Sequence, residues 1–266
     1  MSRGLLNVGN TCYFNSAVQC LAHVPTLTNR FLREGPYDGP CEVTRAYSHL
    51  VRHMWNQKDK KKPIDPSELI DAFRAKFTDF TPLQQHDAHE AVLALLDALE
   101  KSLGLDYMKP IFYGKEEQVV VYPGGTSSRT NDFCSLFVDS PEHLQKYDKY
   151  HILSDYVDDA GKKYNAAAMQ TVIRETGDCL SVIFTQKCPV ELVPDTYHGM
   201  KLFVLVGHWG SFHGGHYATY VKHKGKWRLA DDDTSTDVDA PDGRTIFGRS
   251  LSIHRNTCKS TTSITF

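Results

Sequence analysis

A cysteine near the start of the chain stands where a turn gives way to a helical pattern. Residues 7 to 10 have turn chemistry, Asn10 or Thr11 can cap the helix that follows, and Pro25 ends it. Cys12 therefore lies on the first helical turn, where free backbone N–H groups and the helix dipole stabilise a thiolate. A thiolate is a nucleophile, so this position suits covalent catalysis. The alternative is a small buried core residue.

A histidine far along the chain supplies the second half of a nucleophile–base pair. His216 lies in an alternating strand pattern that a hairpin loop joins to a short strand ending at Asp231. Pairing across this hairpin brings His216 opposite or diagonal to Asp231–Asp233. A carboxylate there fixes the imidazole tautomer and stabilises the imidazolium, as the third residue of a cysteine–histidine protease does. Gly214 and Gly215 leave backbone that a substrate main chain can approach closely.

The composition indicates an intracellular enzyme. With 266 residues, 41% of them hydrophobic, the chain can bury a full core as one domain over residues 1–266. A formal net charge of −2 argues against a general nucleic-acid binder, and the basic run from Lys58 to Lys62 is interpreted as a solvated loop. No apolar stretch reaches the roughly 20 residues of a membrane span. Seven widely spaced cysteines without a secretory signal predict free thiols in the cytoplasm or nucleus.

The order of predicted elements defines the fold class. Helical periodicity dominates residues 1 to about 105, with helices predicted over Val43–Trp55, Pro66–Phe77 and Gln85–Leu103. Short strands are predicted between about 106 and 190, at Ile111–Phe112, Glu117–Tyr122, Phe133–Val138 and Cys179–Phe184. From about 191 to 266 the pattern is antiparallel β and contains the histidine hairpin. Helices followed by strands indicate an α+β fold rather than a doubly wound sheet.

The start of the last predicted helix is unusually polar. Residues 85 to 90 include Asp87 and Glu90, and carboxylates at a helix N-terminus contribute about 0.3–1 kcal/mol each through the dipole. The alternative is a row of acceptors for a cationic peptide. Both interpretations stay open on the residues alone.

These motifs resemble those of the ubiquitin-specific proteases, a family of papain-like deubiquitinating cysteine peptidases. Residues Gly4 to Gln19 are similar to the family's cysteine box, and His208 to Asp232 to its histidine box. Residues 85 to 90 resemble its middle motif, and Ile111–Gly114 the strand that enters the fingers. The resemblance implies a papain-like fold with a helical thumb, a β palm and shortened fingers. A catalytic cleft is expected between thumb and palm.

The resemblance also assigns roles to the matching positions. It makes Cys12 the nucleophile, His216 the general base and Asp231 the third residue, a role that the neighbouring Asp232 can share. Asn7 corresponds to the side-chain donor of the oxyanion hole. The expected substrate-binding residues share a place along the channel for a ubiquitin tail, and they are Asp87, Tyr13, Gly214, Gly215 and Tyr217.

The implied activity is hydrolysis of the (iso)peptide bond after the C-terminal Gly-Gly of ubiquitin, through a thioester intermediate and without a cofactor. The tail, Leu-Arg-Leu-Arg-Gly-Gly, suits a narrow channel, and Asp87 is where the family places a carboxylate for an arginine. The expected partners are ubiquitin and ubiquitinated proteins, or another ubiquitin-like modifier ending in Gly-Gly. A catalytically weak ubiquitin-binding module is the alternative, but it has no need of an intact catalytic set.

The chain departs from the family at the fingers. Most members carry two Cys-x-x-Cys pairs that hold zinc, and this sequence contains none. A structural tetrahedral zinc site needs about four ligands at short paired spacing, so no metal is expected. His208, His213 and His216 are spaced like ligands of a different metal site. Strand alternation, however, directs His213 and His216 to opposite faces.

We therefore expect metal analysis of protein purified without chelator to find far less than one zinc per chain, because the paired cysteines that would hold it are missing. The measurement is elemental mass spectrometry against a protein blank. One zinc per chain would show that our interpretation of the fingers is wrong.

Overall fold

Helices form the first part of the chain in the computed structural model. The structure describes residues 2–56, 62–186, 188–211, 214–223, 225–241, 245–246 and 251–256. The helices are α1 (Cys12–Ala22), α2 (Pro25–Glu34), α3 (Glu42–Trp55), α4 (Ser67–Lys76), α5 (Ala88–Leu103), α6 (Leu105–Phe112) and α7 (Pro141–Gln145). Among the described residues, no helix is both long and apolar enough to cross a membrane.

Helix α1 lies at the centre of the molecule. Every one of its residues is buried, and it packs against α5 on one side and against the sheet that carries the histidine hairpin on the other. A helix that is covered on all sides needs small and apolar residues around its whole circumference, as in Ala17, Val18 and Leu21. Cys12, at the start of α1, is therefore held by the helices and by the sheet together.

Two sheets account for most strands. The strands are β1 (Gly114–Tyr122), β2 (Gly125–Phe133), β3 (Ser135–Val138), β4 (His151–Leu153), β5 (Tyr156–Val157), β6 (Lys163–Tyr164), β7 (Ala167–Glu175), β8 (Cys179–Phe184), β9 (Cys188–Pro189), β10 (Thr196–Tyr197), β11 (Met200–Ser211), β12 (Gly214–His223), β13 (Lys226–Asp231), β14 (Thr234–Val238), β15 (Thr245–Ile246) and β16 (Leu251–Asn256). The finger sheet has the order β2-β1-β7-β4. The palm sheet has the order β14-β13-β12-β11-β16-β8-β3, with β10 beside β11.

The predicted α+β class is confirmed, and so are the helices and strands with strong patterns. Helix α3 and helix α4 match their predicted ranges to within a residue, and β8 matches Cys179–Phe184. The predicted strand Glu117–Tyr122 forms the second part of β1. Helices α3 and α4 match because each buries one regular face, and β8 matches because it buries both faces.

Three predicted element boundaries were wrong. Ile111–Phe112 ends helix α6 and is not a strand, so the helical part of the chain continues past residue 105. Both residues are buried, and Ile111 follows the buried Met108 at helical spacing. The predicted strand Phe133–Val138 is interrupted at Cys134. Helix α5 begins at Ala88 rather than at Gln85.

Asp87 explains the late start of α5. Its backbone is extended (φ −87°, ψ 130°), and its carboxylate accepts a hydrogen bond from the His89 backbone N–H. This is the geometry of a helix N-cap, so the polar residues before Asp87 belong to a loop. We call residues 81–87 the bridging loop.

A group of tyrosines packs the tip of the fingers. The Tyr122 ring lies 5.0 Å from the Tyr156 ring and 4.8 Å from the Tyr164 ring. The Tyr164 hydroxyl donates to Asp158 (3.2 Å), which also accepts from the Lys162 backbone N–H (2.9 Å). Aromatic packing thus joins the β5–β6 hairpin to the finger sheet, while the metal content of the fingers stays a prediction.

Candidate active site

Cys12 is the first residue of α1, as its sequence context predicts. Thr11 occupies the N-cap position but makes no side-chain capping bond; instead its Oγ1 accepts from the Val8 N–H (3.0 Å). The positive end of the helix dipole therefore acts on the Cys12 sulfur. The Cys12 residue is only 3% exposed.

His216 and Asp231 meet across the β12–β13 hairpin. The last paired residues of this ladder are Thr219 and Ala230, and His216 lies beyond them on β12. Its Nε2 is 2.5 Å from Asp231 Oδ1, the diagonal contact that the hairpin predicts. The His216 ring also shares a hydrogen bond with the Cys12 side chain. The three residues of a cysteine–histidine–carboxylate array are thus in contact.

The electrostatics of this array favour an imidazolium. The hydrogen bond that the Asp231 carboxylate accepts raises the pKa of His216 to about 10, the Cys12 side chain adds to the rise, and burial opposes it. His216 is therefore protonated at neutral pH. A positive charge beside a thiol stabilises the thiolate form, which is the nucleophile.

Asp232 lies in a tight turn beside His216 and Asp231, with one polar atom of each of the three side chains within 4.8 Å of the others. Asp231 pairs with Thr234, so Asp232 and Asp233 form a two-residue hairpin loop between β13 and β14. Asp232 has a φ of 46°, the left-handed region that such loops require and that aspartate tolerates. Its Oδ1 accepts from Asn15 Nδ2 and its Oδ2 from Asn7 Nδ2, each at 2.8 Å.

Asn7 is fixed on both sides of its amide. Its Oδ1 accepts from the backbone N–H groups of Gly9 (3.2 Å) and Thr11 (3.1 Å), which lie in the turn before Cys12. Its Nδ2 donates to Asp232. A primary amide carries two N–H hydrogens, so a second hydrogen remains for an oxyanion. The contacts of Asp232 favour a role in positioning Asn7 over a direct role on His216.

Asp87 and Tyr217 lie together on opposite walls of the cleft. The Tyr217 hydroxyl donates to Asp87 Oδ1 (3.3 Å), which also lies 2.8 Å from His89 Nδ1. Burial, followed by the Asp87 charge, raises the pKa of the Tyr217 hydroxyl, so this hydroxyl stays protonated as a donor. Helix α5 and strand β12 are thereby joined through the residues that the sequence assigned to the substrate channel.

The two glycines before His216 differ in their surroundings. A Cβ on Gly215 would lie 2.2 Å from His208 Nε2 and 2.4 Å from the Trp209 carbonyl oxygen, so only glycine fits there. A Cβ on Gly214 would meet no atom within 4 Å. The need for glycine at 215 is thus an internal packing constraint.

The Tyr13 side chain is fully buried and stacks on Phe80 with the ring centroids 6.1 Å apart. Its expected place along the substrate channel stays a prediction.

Three further residues of the site were not assigned from the sequence. Asn15 lies one helical turn after Cys12 and holds Asp232. Trp209 is opposite His216 in the β11–β12 register, with the two rings 6.5 Å apart and inclined by 30°. Gln85 bonds to Gly215 across the cleft. Helical spacing and strand register could have indicated the first two, but no local pattern indicates the third.

One group of potential metal ligands occurs among the described residues, namely His216, Asp231 and Asp232. His216 and Asp231 belong to the cysteine–histidine–carboxylate array and Asp232 is its neighbour, and these side chains are already bonded to one another or to asparagines. Of the alternative histidine set, His208 is buried with its ring 4.4 Å from the Tyr217 ring. His213 lies outside the described residues, as do Lys58–Lys61 of the basic run.

Comparison with known families agrees with this geometry. The family model described as ubiquitin carboxyl-terminal hydrolase matches residues 3–146 and 115–260. The chain belongs to the ubiquitin carboxyl-terminal hydrolase family. The resemblance to ubiquitin-specific proteases noted in the sequence is thereby confirmed.

Members of this family include much longer proteins that match part of the chain. Ubiquitin carboxyl-terminal hydrolase cyk-3 of Caenorhabditis elegans is 41% identical over 110 residues, which is 38% of this chain and 9% of the relative. Ubiquitin carboxyl-terminal hydrolase 15 of Homo sapiens is 35% identical over 123 residues, 42% of this chain and 12% of the relative. The chain thus spans about a tenth of the length of the curated relatives it matches.

Solved structures share the fold over nearly the whole chain. The SAGA Ubp8/Sgf11/Sus1/Sgf73 DUB module bound to ubiquitin aldehyde gives a TM-score of 0.75 at 16% identity, covering 96% of this chain and 70% of that chain. The module bound to monoubiquitin gives 0.77 at 17% identity, with 96% and 69% covered. The papain-like α+β fold expected from the sequence is therefore confirmed.

The contacts of the two aspartates predict different effects of removing them. Asp231→Ala should lower kcat about 10²-fold or more, because it removes the group that orients and charges His216. Asp232→Ala should cost less, since it acts through Asn7. The measurement is kcat for both variants over a range of pH.

The pH profile separates the two roles. The pKa of His216 falls when Asp231 is lost, so the imidazolium disappears at lower pH and the alkaline limb of kcat/KM moves to lower pH. Asp232→Ala should leave that limb in place. A larger loss or a shifted limb in Asp232→Ala, with a mild effect in Asp231→Ala, would mean that the third residue is Asp232.

Proposed function

We propose that this chain is a thiol-dependent deubiquitinase that hydrolyses the (iso)peptide bond after the C-terminal Gly-Gly of ubiquitin. The observation that carries the proposal is the contact between Cys12, His216 and Asp231 at the start of a buried helix, in a member of the ubiquitin carboxyl-terminal hydrolase family. A module that only bound ubiquitin would have no use for a nucleophile, a charged histidine and a carboxylate in one array.

The first half of the reaction forms a thioester. The Cys12 thiolate attacks the carbonyl carbon of the terminal glycine, and the carbonyl oxygen becomes an oxyanion. The second amide hydrogen of Asn7 and the backbone N–H groups at the start of α1 are the donors for that oxyanion. His216 gives its proton to the departing amine, and the C–N bond breaks as the thioester remains on Cys12.

The second half releases ubiquitin. Neutral His216 takes a proton from a water molecule, the resulting hydroxide attacks the thioester carbonyl, and the C–S bond breaks. The products are the ubiquitin carboxylic acid, which loses its proton to solvent, and the Cys12 thiolate beside a protonated His216. Asp231 keeps the ring oriented through both steps.

The tail of ubiquitin fits the chemistry of the channel. Asp87, at the N-terminus of α5, offers a carboxylate to a tail arginine beside Tyr217. Gly214 and Gly215, which precede His216 and carry no side chains, suit the close approach of the two glycines of the tail. Ubiquitin or ubiquitinated proteins are therefore the proposed partners.

We also propose that residues 1–266 act as one catalytic domain, because the array takes Cys12 and Asn7 from one end of the chain and His216 from the other. The cysteines that the structure describes are free thiols, which suits the reducing conditions of the cytoplasm or nucleus.

Hydrolysis of a fluorogenic C-terminal ubiquitin amide tests this function. Cys12→Ala should abolish turnover, because no other group can form the thioester, and should leave ubiquitin binding intact. The matched control is Cys41→Ala, a half-buried cysteine on the helical side of the molecule, which should retain turnover. Binding without turnover by the unaltered protein would indicate the binding module. Absence of binding would indicate another modifier that ends in Gly-Gly.

A further inference from the structure

The side chain of Gln85 forms a two-bond bridge across the cleft. Its Nε2 donates to the Gly215 carbonyl oxygen (2.7 Å), and its Oε1 accepts from the Gly215 N–H (2.8 Å). Gln85 belongs to the bridging loop on the helical side, while Gly215 precedes His216 on the palm side. The bridge therefore joins the two walls next to the catalytic array.

Gly215 offers the kind of edge to which an extended peptide adds. Strand β13 pairs with β12 only as far as Thr219, because β13 ends at Asp231, so β13 leaves the edge of β12 near Gly215 uncovered. On its other side Gly215 is opposite Gly210 of β11. A carboxamide presents its C=O and one N–H toward the same side, as one residue of a strand does to the residue opposite it in a hydrogen-bonded antiparallel pair. The Gln85 amide thus occupies the place of one residue of an added strand.

On the palm side of this contact, Gly215 is closely packed against the neighbouring strand. A Cβ on Gly215 would lie 2.2 Å from His208 and 2.4 Å from the Trp209 carbonyl, so the strand is packed from behind at this point. Gln85, by contrast, is exposed and lies in a loop without regular structure. If the two walls separate, Gln85 is the partner that moves.

The bridging loop also contacts the turn that carries the nucleophile. Asn10 Nδ2 donates to the Leu83 carbonyl oxygen (2.7 Å), two residues before Gln85. Leu83 itself has a left-handed backbone (φ 63°) and a side chain that is 73% exposed. Since Cys12 is only 3% exposed, the free cleft gives a substrate carbonyl little access to the sulfur.

We propose that Gln85 gates the substrate channel: in the free chain its amide satisfies Gly215, and the main chain of the incoming ubiquitin tail displaces it and takes over both hydrogen bonds. This inference rests on the proposed function, since it names the tail as the displacing strand. The exchange replaces two hydrogen bonds with two of the same kind, so the gate opens without leaving Gly215 unsatisfied. The closed gate weakens the apparent affinity for the substrate only in proportion to the fraction of the protein that is open.

Steady-state kinetics with the fluorogenic ubiquitin amide test the gate. Gln85→Ala should lower KM by roughly threefold to tenfold, because the competing amide is gone, while kcat stays within about twofold. Gln84→Ala is the matched control, since it alters the adjacent exposed glutamine and leaves the bridge intact; its KM should equal that of the unaltered protein. Gln85→Glu should also lower KM, because a carboxylate cannot donate a hydrogen bond to the Gly215 carbonyl oxygen and so weakens the bridge.

Amide hydrogen exchange at Gly215 provides a readout that does not depend on turnover. In the free protein the Gln85 bond protects this N–H, and Gln85→Ala should speed its exchange by roughly tenfold, whereas Gln84→Ala should not. Equal exchange in all three proteins would overturn the bridge as a feature of the free chain.

The kinetic outcomes separate this inference from the function on which it rests. Failure of the unaltered protein to hydrolyse the ubiquitin amide would overturn the proposed function and the gate with it. Turnover by the unaltered protein, with an unchanged or raised KM in Gln85→Ala, would overturn the gate alone. In that case Gln85 would be a group that holds the substrate or the walls in position.

Discussion

The arrangement of the proposed catalytic residues depends on the turn between β13 and β14, which consists of Asp232 and Asp233. The adjacent Asp231 and Asp232 bond to different partners; Asp231 ends a strand, and Asp232 has a left-handed backbone. Asp231 fixes His216 on the palm, while Asp232 holds the amides of Asn7 and Asn15 on the helical side. A single hairpin tip thereby sets both the base and the expected oxyanion donor relative to the start of α1.

The ion pair between His216 and Asp231 matters more for the proposed reaction than for the stability of the fold. The pKa of His216 is raised to about 10, so any stability from the His216–Asp231 pair is complete below the ordinary histidine pKa of about 6.5 and is lost as pH rises through about 10. Both side chains are at least a third exposed, and solvent screening leaves such pairs a small contribution to the free energy of unfolding. What the pair does provide is a protonated imidazole beside Cys12 at neutral pH.

The sequence was sufficient to predict the position of a site residue wherever one short segment determines the geometry. Turn residues before a helical pattern located Cys12, and the hairpin register located Asp231 beside His216. It was insufficient where segments distant along the chain meet: the Gln85 and Gly215 contact joins residues 130 positions apart, and no periodicity encodes it. The end of the helix at residues 105–112 was predicted as a strand because a short apolar run such as Ile111–Phe112 is compatible with either element.

The most direct test of Cys12 as the nucleophile is covalent capture by ubiquitin that carries an electrophile in place of its C-terminal carboxylate. The intact mass would be measured before and after reaction, and the modified residue would be mapped by digestion. We expect one ubiquitin per chain, attached to Cys12 and to none of the other cysteines. Attachment to another cysteine, or no adduct with protein that is folded, would contradict the claim that Cys12 is the nucleophile at a ubiquitin-tail site.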